Sequence, residues 1–170
     1  ALAARQAAAI DIQRVVSPGG VEAWLVRDTS VPVISFTFAF DGGASLDPVG
    51  KEGRAKMVSA LLDEGAGDLT SQEFQARLED IAARLRFSAS SDRFSGTLRT
   101  LSANRDKAFE LLALALTKPR FDAKPVERIR AQMIAGLKSA LQDPDTIASR
   151  AWYKAVFPAH PYGRPNGGTI

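Results

Sequence analysis

Residues 31–40 carry the pattern that most restricts the fold, because apolar and smaller side chains alternate along the segment. Ile34, Phe36, Phe38 and Phe40 fall on one side, and smaller side chains separate them. A period of two places alternate side chains on opposite faces of a strand. The segment is therefore predicted to be a strand with one apolar face.

Three further segments have strand patterns, one before residues 31–40 and two after them. Residues 21–27 are rich in β-branched and aromatic side chains, and Asp28 to Ser30 is predicted as the turn between this strand and the next. Farther along, residues 85–89 and 94–101 alternate on either side of Ser90 to Arg93. These two segments are predicted to form a β-hairpin.

Helical periodicity lies between and after the strands. Lys51 to Glu64 is predicted as a helix that Gly65 stops, and Thr70 with Glu73 has the spacing of a capping box that opens a second helix. Three more helices are predicted, opened by Asn104, Asp122 and Asp143-Pro144 and ending at Leu116, near Leu141 and at Val156. The inward side chains of the middle one are predicted to be Val126, Ile129, Met133, Leu137 and Leu141.

This order of elements predicts an α+β fold, with helices packed on one face of an antiparallel or mixed sheet. A chain of 170 residues with 45% hydrophobic content buries one sizeable core. The turn-rich tail from His160 to Ile170 ends without a finishing element. We therefore expect residues 1–170 to be a single N-terminal domain cut from a longer, two-domain subunit.

Charge and cysteine content limit the functional classes. The 22 Lys and Arg residues are scattered among 19 Asp and Glu residues, which gives little support to a nucleic-acid or membrane partner. The chain has no cysteine, so a thiolate metal site and a thiol nucleophile are excluded. The Ala-rich start, Ala1 to Ile10, is interpreted either as a frayed N-terminal arm or as a segment that follows the removal of a signal peptide.

Several short strings occur in a characteristic order. They are Phe40-Asp41-Gly42-Gly43-Ala44-Ser45, Gly53-Arg54-Ala55, Leu61-Leu62-Asp63-Glu64-Gly65, Asn104 to Leu116 followed by Pro119-Arg120-Phe121, and His160-Pro161-Tyr162-Gly163. In this order and spacing the chain resembles the pitrilysin family of zinc metallopeptidases, which includes insulysin-like and mitochondrial-processing-type enzymes. The resemblance covers nearly the whole chain and implies a metallopeptidase-like half-domain.

Active members of that family carry an inverted His-x-x-Glu-His motif on the helix that begins Gly-x-Ala, where two histidines bind zinc and the glutamate is the general base. Aligned on Gly53, these positions fall on Lys56, Ser59 and Ala60. The third ligand is a glutamate about 75 residues farther along, and that count reaches Gly136. The resemblance therefore implies that the motif is degenerate.

The residues at these positions do not suit the chemistry. Lysine presents a cation where a ligand must be neutral, and alanine and glycine have no donor atom. A serine hydroxyl is a poor proton acceptor near neutral pH. We expect no metal or other cofactor on this chain and expect zinc only in a catalytic partner.

Within the family, some members pair a catalytic subunit with one whose zinc motif has decayed. The resemblance implies that this chain supports peptide binding and chamber formation in such a homo- or heterodimer, with an extended peptide as substrate. A bacterial periplasmic or secreted location is expected, with the cytoplasm as the alternative.

Two other functions stay open. One is a peptide-binding or scaffold domain of the same fold that needs no peptidase partner. The other is a hydrolase with a relocated site built from Glu52, Asp63, Glu64 or His160.

One group of basic residues is also a candidate. Arg84, Arg86, Arg93 and Arg99 lie on the predicted hairpin, as a solvated face or as a basic patch for acidic peptides or a partner subunit.

Overall fold

The computed structural model describes residues 11–170, which divide into two compact units at the Pro32–Val33 bond. The Ala-rich start, for which two interpretations were open, lies outside the described residues. In the first unit, β1 (Ile12–Val16) and β2 (Glu22–Val26) pair antiparallel. The tight turn between them closes with Gly20 N donating to Ser17 O at 2.9 Å, and Gly20 has φ 82°.

The predicted turn at Asp28 to Ser30 lies between β2 and the strand that begins at Val33, as expected, and these two strands belong to different sheets. β2 pairs with β1, a strand that the sequence analysis missed, and not with the strand that follows it. Pro32, just before the second unit, has no N–H to contribute to a ladder between the two strands.

The second unit is an α+β fold, as predicted. Its three strands are β3 (Val33–Asp41), β4 (Arg84–Ala89) and β5 (Arg93–Leu101), and they form an antiparallel sheet in the order β3-β5-β4. Its helices are α1 (Arg54–Ser59), α2 (Ser71–Asp80), α3 (Arg105–Thr117), α4 (Ala123–Ala140) and α5 (Pro144–Val156). The predicted hairpin of residues 85–101 is confirmed as β4 and β5.

The core lies between one face of this sheet and the helices α2 and α3. Phe74 of α2 and Leu98 of β5 are completely buried. The apolar side of β3 contributes Phe36 and Phe38, whose rings pack against the same cluster. Burial of these side chains provides the main stabilisation of the unit, at about 1.5–3 kcal/mol for each fully buried large side chain.

The first helix is shorter than predicted. α1 ends at Ser59, and the N–H of Ala60 is shared among the carbonyl groups of the preceding turn. The chain then turns, and Leu61 and Leu62 are both buried.

Two of the four predicted helix caps are confirmed. Thr70 and Glu73 form the capping box, and the Asp143 carboxylate accepts from Thr146 N at 3.0 Å. Asn104 and Asp122 occupy cap positions but make no capping bond. The Asn104 amide instead donates to a backbone carbonyl at the end of α2, and the Asp122 carboxylate accepts from a neighbouring arginine. Asn104 and Asp122 therefore bond to groups outside the first turn of the helix that each precedes.

The prediction that Leu141 points inward is wrong, because it follows the last residue of α4 and is 52% exposed. Ile129 is buried, and the other predicted inward residues, Val126, Met133 and Leu137, are half-buried. Of the helices within residues 11–170, none is both long enough and apolar enough to cross a membrane.

Candidate functional site

The three predicted motif positions lie on one side of α1, since residues three and four apart on a helix are neighbours. Lys56 is exposed, and Ser59 is buried. The Ser59 hydroxyl donates back to the carbonyl oxygen of Lys56 at 2.8 Å. Ala60 is the cap residue that follows the last residue of α1. The only side-chain donor and acceptor groups on this side of α1 are therefore an ammonium group and a hydroxyl that already has a partner.

A buried carboxylate holds the start of α1. Asp47 is 4% exposed, and its two carboxylate oxygens accept from Gly53 N at 2.9 Å and from Ala55 N at 3.0 Å. These N–H groups belong to the first turn, where a helix supplies no partners of its own. Asp47 therefore does for α1 what a capping residue does, from six residues before Gly53.

The C-terminal loop closes over the same turn. Arg164 donates to the carbonyl oxygens of Asp47 at 2.7 Å and Ser45 at 2.9 Å. Gly53 and Gly168 both have φ 90°, and a Cβ on Gly53 would stand 2.8 Å from the carbonyl oxygen of Gly167. Such a contact leaves room only for glycine, so the position of α1 depends on a loop more than 100 residues away.

Replacing Asp47 by alanine is expected to destabilise the protein by about 1–3 kcal/mol, because two backbone N–H groups lose a buried, charged acceptor. Urea unfolding followed by circular dichroism measures this loss. Asp106→Ala removes a carboxylate that is 85% exposed and paired with Arg105, and it should change stability by less than about 0.5 kcal/mol. Equal effects of the two substitutions would refute the anchoring role of Asp47.

Gly136, the predicted third position, lies in the middle of α4, which contacts α1. It is exposed, and a Cβ placed there would meet nothing within 4 Å. The two helices are linked beyond the end of α1, where Arg128 of α4 pairs with Glu64 at 2.5 Å. The structure thus brings the two helices together, and the role of these four positions stays a prediction.

Two acidic groups follow α1. Burial raises the pKa of Asp63, and the nearby Glu64 carboxylate adds to this, while the charges of Arg86 and Arg128 oppose it. Burial alone would also raise the pKa of Glu64, but hydrogen bonds from Arg128 and Ser71 outweigh it and leave that pKa lowered. Glu64 is therefore a structural anion that is already paired.

The other residues proposed for a relocated site are engaged elsewhere. Glu52 accepts from Gly50 N at 3.1 Å, and backbone hydrogen bonds with its own N–H and that of Gly50 lower its pKa. His160 accepts from Tyr162 N at 3.2 Å through Nδ1, and its ring lies edge-on to the Tyr162 ring. Throughout residues 11–170, no three His, Asp or Glu side chains form a group that could hold a metal ion. The donor set around α1 does not fit zinc.

The predicted basic residues separate into two groups. Arg84 and Arg99 lie directly opposite each other on β4 and β5, and Arg86 follows on the same face. Arg93 lies at the other end of β5, about 20 Å along the strand from Arg99. It is opposite Asp41 in the register of β3 and β5. The sequence found all four, but only three form a patch.

Sequence reasoning missed Asp47 and Arg164. Asp47 lies outside the cap position of α1, and Arg164 donates to a carbonyl oxygen 117 residues earlier in the sequence. No local pattern distinguishes either residue, because both contacts depend on the tertiary fold.

Comparison with known proteins gives consistent results. The sequence profile of the insulinase family, peptidase family M16, matches residues 24–169. The non-peptidase homolog YmxG of Helicobacter pylori (strain ATCC 700392 / 26695) is 30% identical over 139 residues, which cover 82% of this chain and 32% of that protein.

Two crystal structures have similar folds. A peptidase M16 inactive domain from Pseudomonas fluorescens matches with a TM-score of 0.87 and 28% identity, over 94% of this chain and 39% of that chain. A protease from Helicobacter pylori matches with a TM-score of 0.80 and 20% identity, over 95% of this chain and 39% of that one, and it supports the fold alone. The chain thus spans 32% to 39% of the length of these relatives.

Proposed function

The chain belongs to the insulinase family of peptidases, family M16, and from this premise we propose that it is a non-catalytic domain that helps a catalytic subunit of the same family to hold extended peptides. Two relatives are named a non-peptidase homolog and an inactive domain, which supports the first part. Peptide binding, formation of a chamber and pairing with a catalytic subunit are the further parts of the proposal.

One observation carries the proposal: the family's helix is held in place while its motif positions offer no ligand set. Asp47 and Arg164 fix the start of α1. Lys56, in contrast, is exposed, and the Ser59 hydroxyl is bonded to its own helix. The domain has the fold without the donor atoms of a zinc site, which supports a non-catalytic role.

The sheet supports the peptide-binding part. β4 lies at one edge of the three-stranded sheet, and it contacts α1. An extended peptide can add to such an edge through main-chain hydrogen bonds, which give affinity with little sequence preference. We infer that peptides add along β4 next to α1, in a homo- or heterodimer with the catalytic subunit as partner. A bacterial periplasmic or secreted location is part of the proposal.

The experiment compares cleavage by this chain with cleavage in the presence of a catalytic subunit. The substrate is an unfolded polypeptide carrying a fluorophore and a quencher, and the partner is a family member from the same genome with an intact His-x-x-Glu-His motif. The chain alone, with or without added zinc, is expected to cleave nothing. The partner's rate is expected to rise saturably as the chain is added.

Three other outcomes would contradict the proposal in different ways. Chelator-sensitive cleavage by the chain alone would show that it is itself a metallopeptidase. Cleavage that survives chelator but is lost in Glu64→Gln or His160→Ala would show a relocated hydrolytic site. A partner that neither binds the chain nor responds to it, together with peptide binding by the chain alone, would favour the free-standing scaffold.

A further inference from the structure

The open face of the three-stranded sheet has a polar surface made of arginine and hydroxyl side chains. Across the sheet, Ser35, Arg99 and Arg84 form one row. Thr37, Thr97 and Arg86 form the next row. All six side chains are exposed, and the apolar side chains of the same strands point to the opposite, core-facing side.

The positive charge on this face has no acidic partner in close contact. No ion pair and no side-chain hydrogen bond among residues 11–170 engages Arg84, Arg86 or Arg99. Asp63 is near enough for its charge to act on Arg86, but no ion pair joins them. Arg84 and Arg99 are directly opposite in register, where like charges are destabilising. An acidic ligand would relieve that repulsion.

The spacing of the charges matches an extended chain. Arg84 and Arg86 are two residues apart on one strand, so their Cα atoms are about 6.6 Å apart along it. Arg99 lies across from Arg84 at about 5 Å between Cβ atoms. In an extended peptide, side chains at alternate positions share one face and repeat at the same 6.6 Å. Carboxylates at alternate positions would therefore meet the two rows in turn, Arg84 with Arg99 in one row and Arg86 in the next, and arginine suits carboxylates.

We propose that this arginine face, defined as Arg84, Arg86 and Arg99 with the hydroxyl groups beside them, binds extended peptides that carry acidic side chains at alternate positions. The inference deepens the proposed function, on which it rests, by naming the class of peptide. Edge pairing along β4 supplies affinity for any extended backbone, and the arginine face selects the acidic ones.

The test measures fluorescence anisotropy with four labelled peptides of equal length, at low salt. The first alternates Glu with Ser, the second has the same composition with the Glu residues in one block, the third has Gln in place of Glu, and the fourth has Lys. The alternating acidic peptide is expected to bind about tenfold more tightly than the Gln peptide, and the difference should shrink at high salt. The block peptide should fall between them, and the Lys peptide should bind most weakly.

Matched variants separate the arginine face from the overall charge. Arg84→Ala with Arg99→Ala is expected to weaken the alternating acidic peptide about tenfold and to leave the Gln peptide unchanged. Arg77→Ala with Arg130→Ala removes the same charge from exposed helical positions and should change neither. Thermal melting checks that both double variants fold.

Four results would overturn the inference. The Gln peptide could bind as tightly as the acidic one, which would leave peptide holding intact and remove the selection. Both double variants could weaken binding equally, which would assign the effect to net charge. A single-stranded oligonucleotide could compete as well as the acidic peptide, which would make the face a general anion surface. The fourth result is that none of the peptides binds while the catalytic subunit still responds to the chain. This result would leave the proposed function standing without this inference.

Discussion

Zinc affinity is expected to rise about a thousandfold or more when ligands are placed at the degenerate positions through Lys56→His, Ala60→His and Gly136→Glu. The unchanged chain should bind zinc no better than about millimolar, since the described positions offer no neutral nitrogen or carboxylate there. Two histidines four residues apart share a helical face, and a third ligand completes the set used by catalytic zinc sites. A micromolar dissociation constant would correspond to a gain of about 4 kcal/mol.

Two of the three substituted sites have room for the new side chains. Lys56 is exposed, and a Cβ at Gly136 meets nothing within 4 Å. Replacing a glycine inside a helix also favours folding by about 0.5–1 kcal/mol. Ser59 is left unchanged, because it is buried and a glutamate there would cost stability.

Competition with a chromophoric chelator measures the affinity. The control carries the same two histidines with Gln132→Glu, which puts the carboxylate one turn earlier on α4, and it should bind at least about tenfold more weakly. A folded triple variant with no gain in affinity would show that α1 and α4 do not occupy the places of the family's metal-binding helices. The proposed function would then lose its structural basis.

Phe74→Ala is expected to cost about 3–5 kcal/mol of unfolding free energy. The Phe74 ring is completely buried between α2 and the sheet, so its removal leaves a cavity that the neighbouring elements cannot fill. For a chain of this length the midpoint of thermal unfolding should fall by roughly 10 °C.

Circular dichroism during urea and thermal unfolding measures this effect. Phe40→Ala is the matched control, because that ring is 55% exposed and contacts only the Phe38 ring among the aromatic side chains of the described residues. Its cost should be about 1 kcal/mol or less. A loss below about 1.5 kcal/mol for Phe74→Ala would contradict the central position of α2 in the core.

Local patterns predicted the local elements well. The Thr70 to Glu73 capping box and the β4–β5 hairpin depend on residues within a few positions of one another, so the sequence shows them directly. The assignment of strands to sheets depends on distant partners. The sequence pattern predicted β2 as a strand, but β1, the strand with which β2 pairs, was missed.

Some features of the candidate site can likewise be predicted from the sequence, and others depend on the tertiary fold. The residue types at 56, 59, 60 and 136 can be read from the sequence once the family's spacing is known. That Ser59 is buried and bonded to its own helix cannot be read there. The approach of Gly168 to Gly53 is also invisible, because a glycine in a turn-rich tail looks like any flexible residue until the backbone across from it is located.

The contacts that hold α1 explain how the helix keeps its position although its motif positions carry no set of metal ligands. The polar contacts that hold the helix lie at its two ends, in Asp47 and Gly53 before it and in the Glu64–Arg128 pair after it, and the helix also contacts β4 and α4. Lys56, on the exposed side, takes part in none of these polar contacts through its side chain. Architecture and reactivity are therefore separable traits in this domain, and the outer positions of α1 can be randomised as a library on a scaffold whose shape does not depend on them.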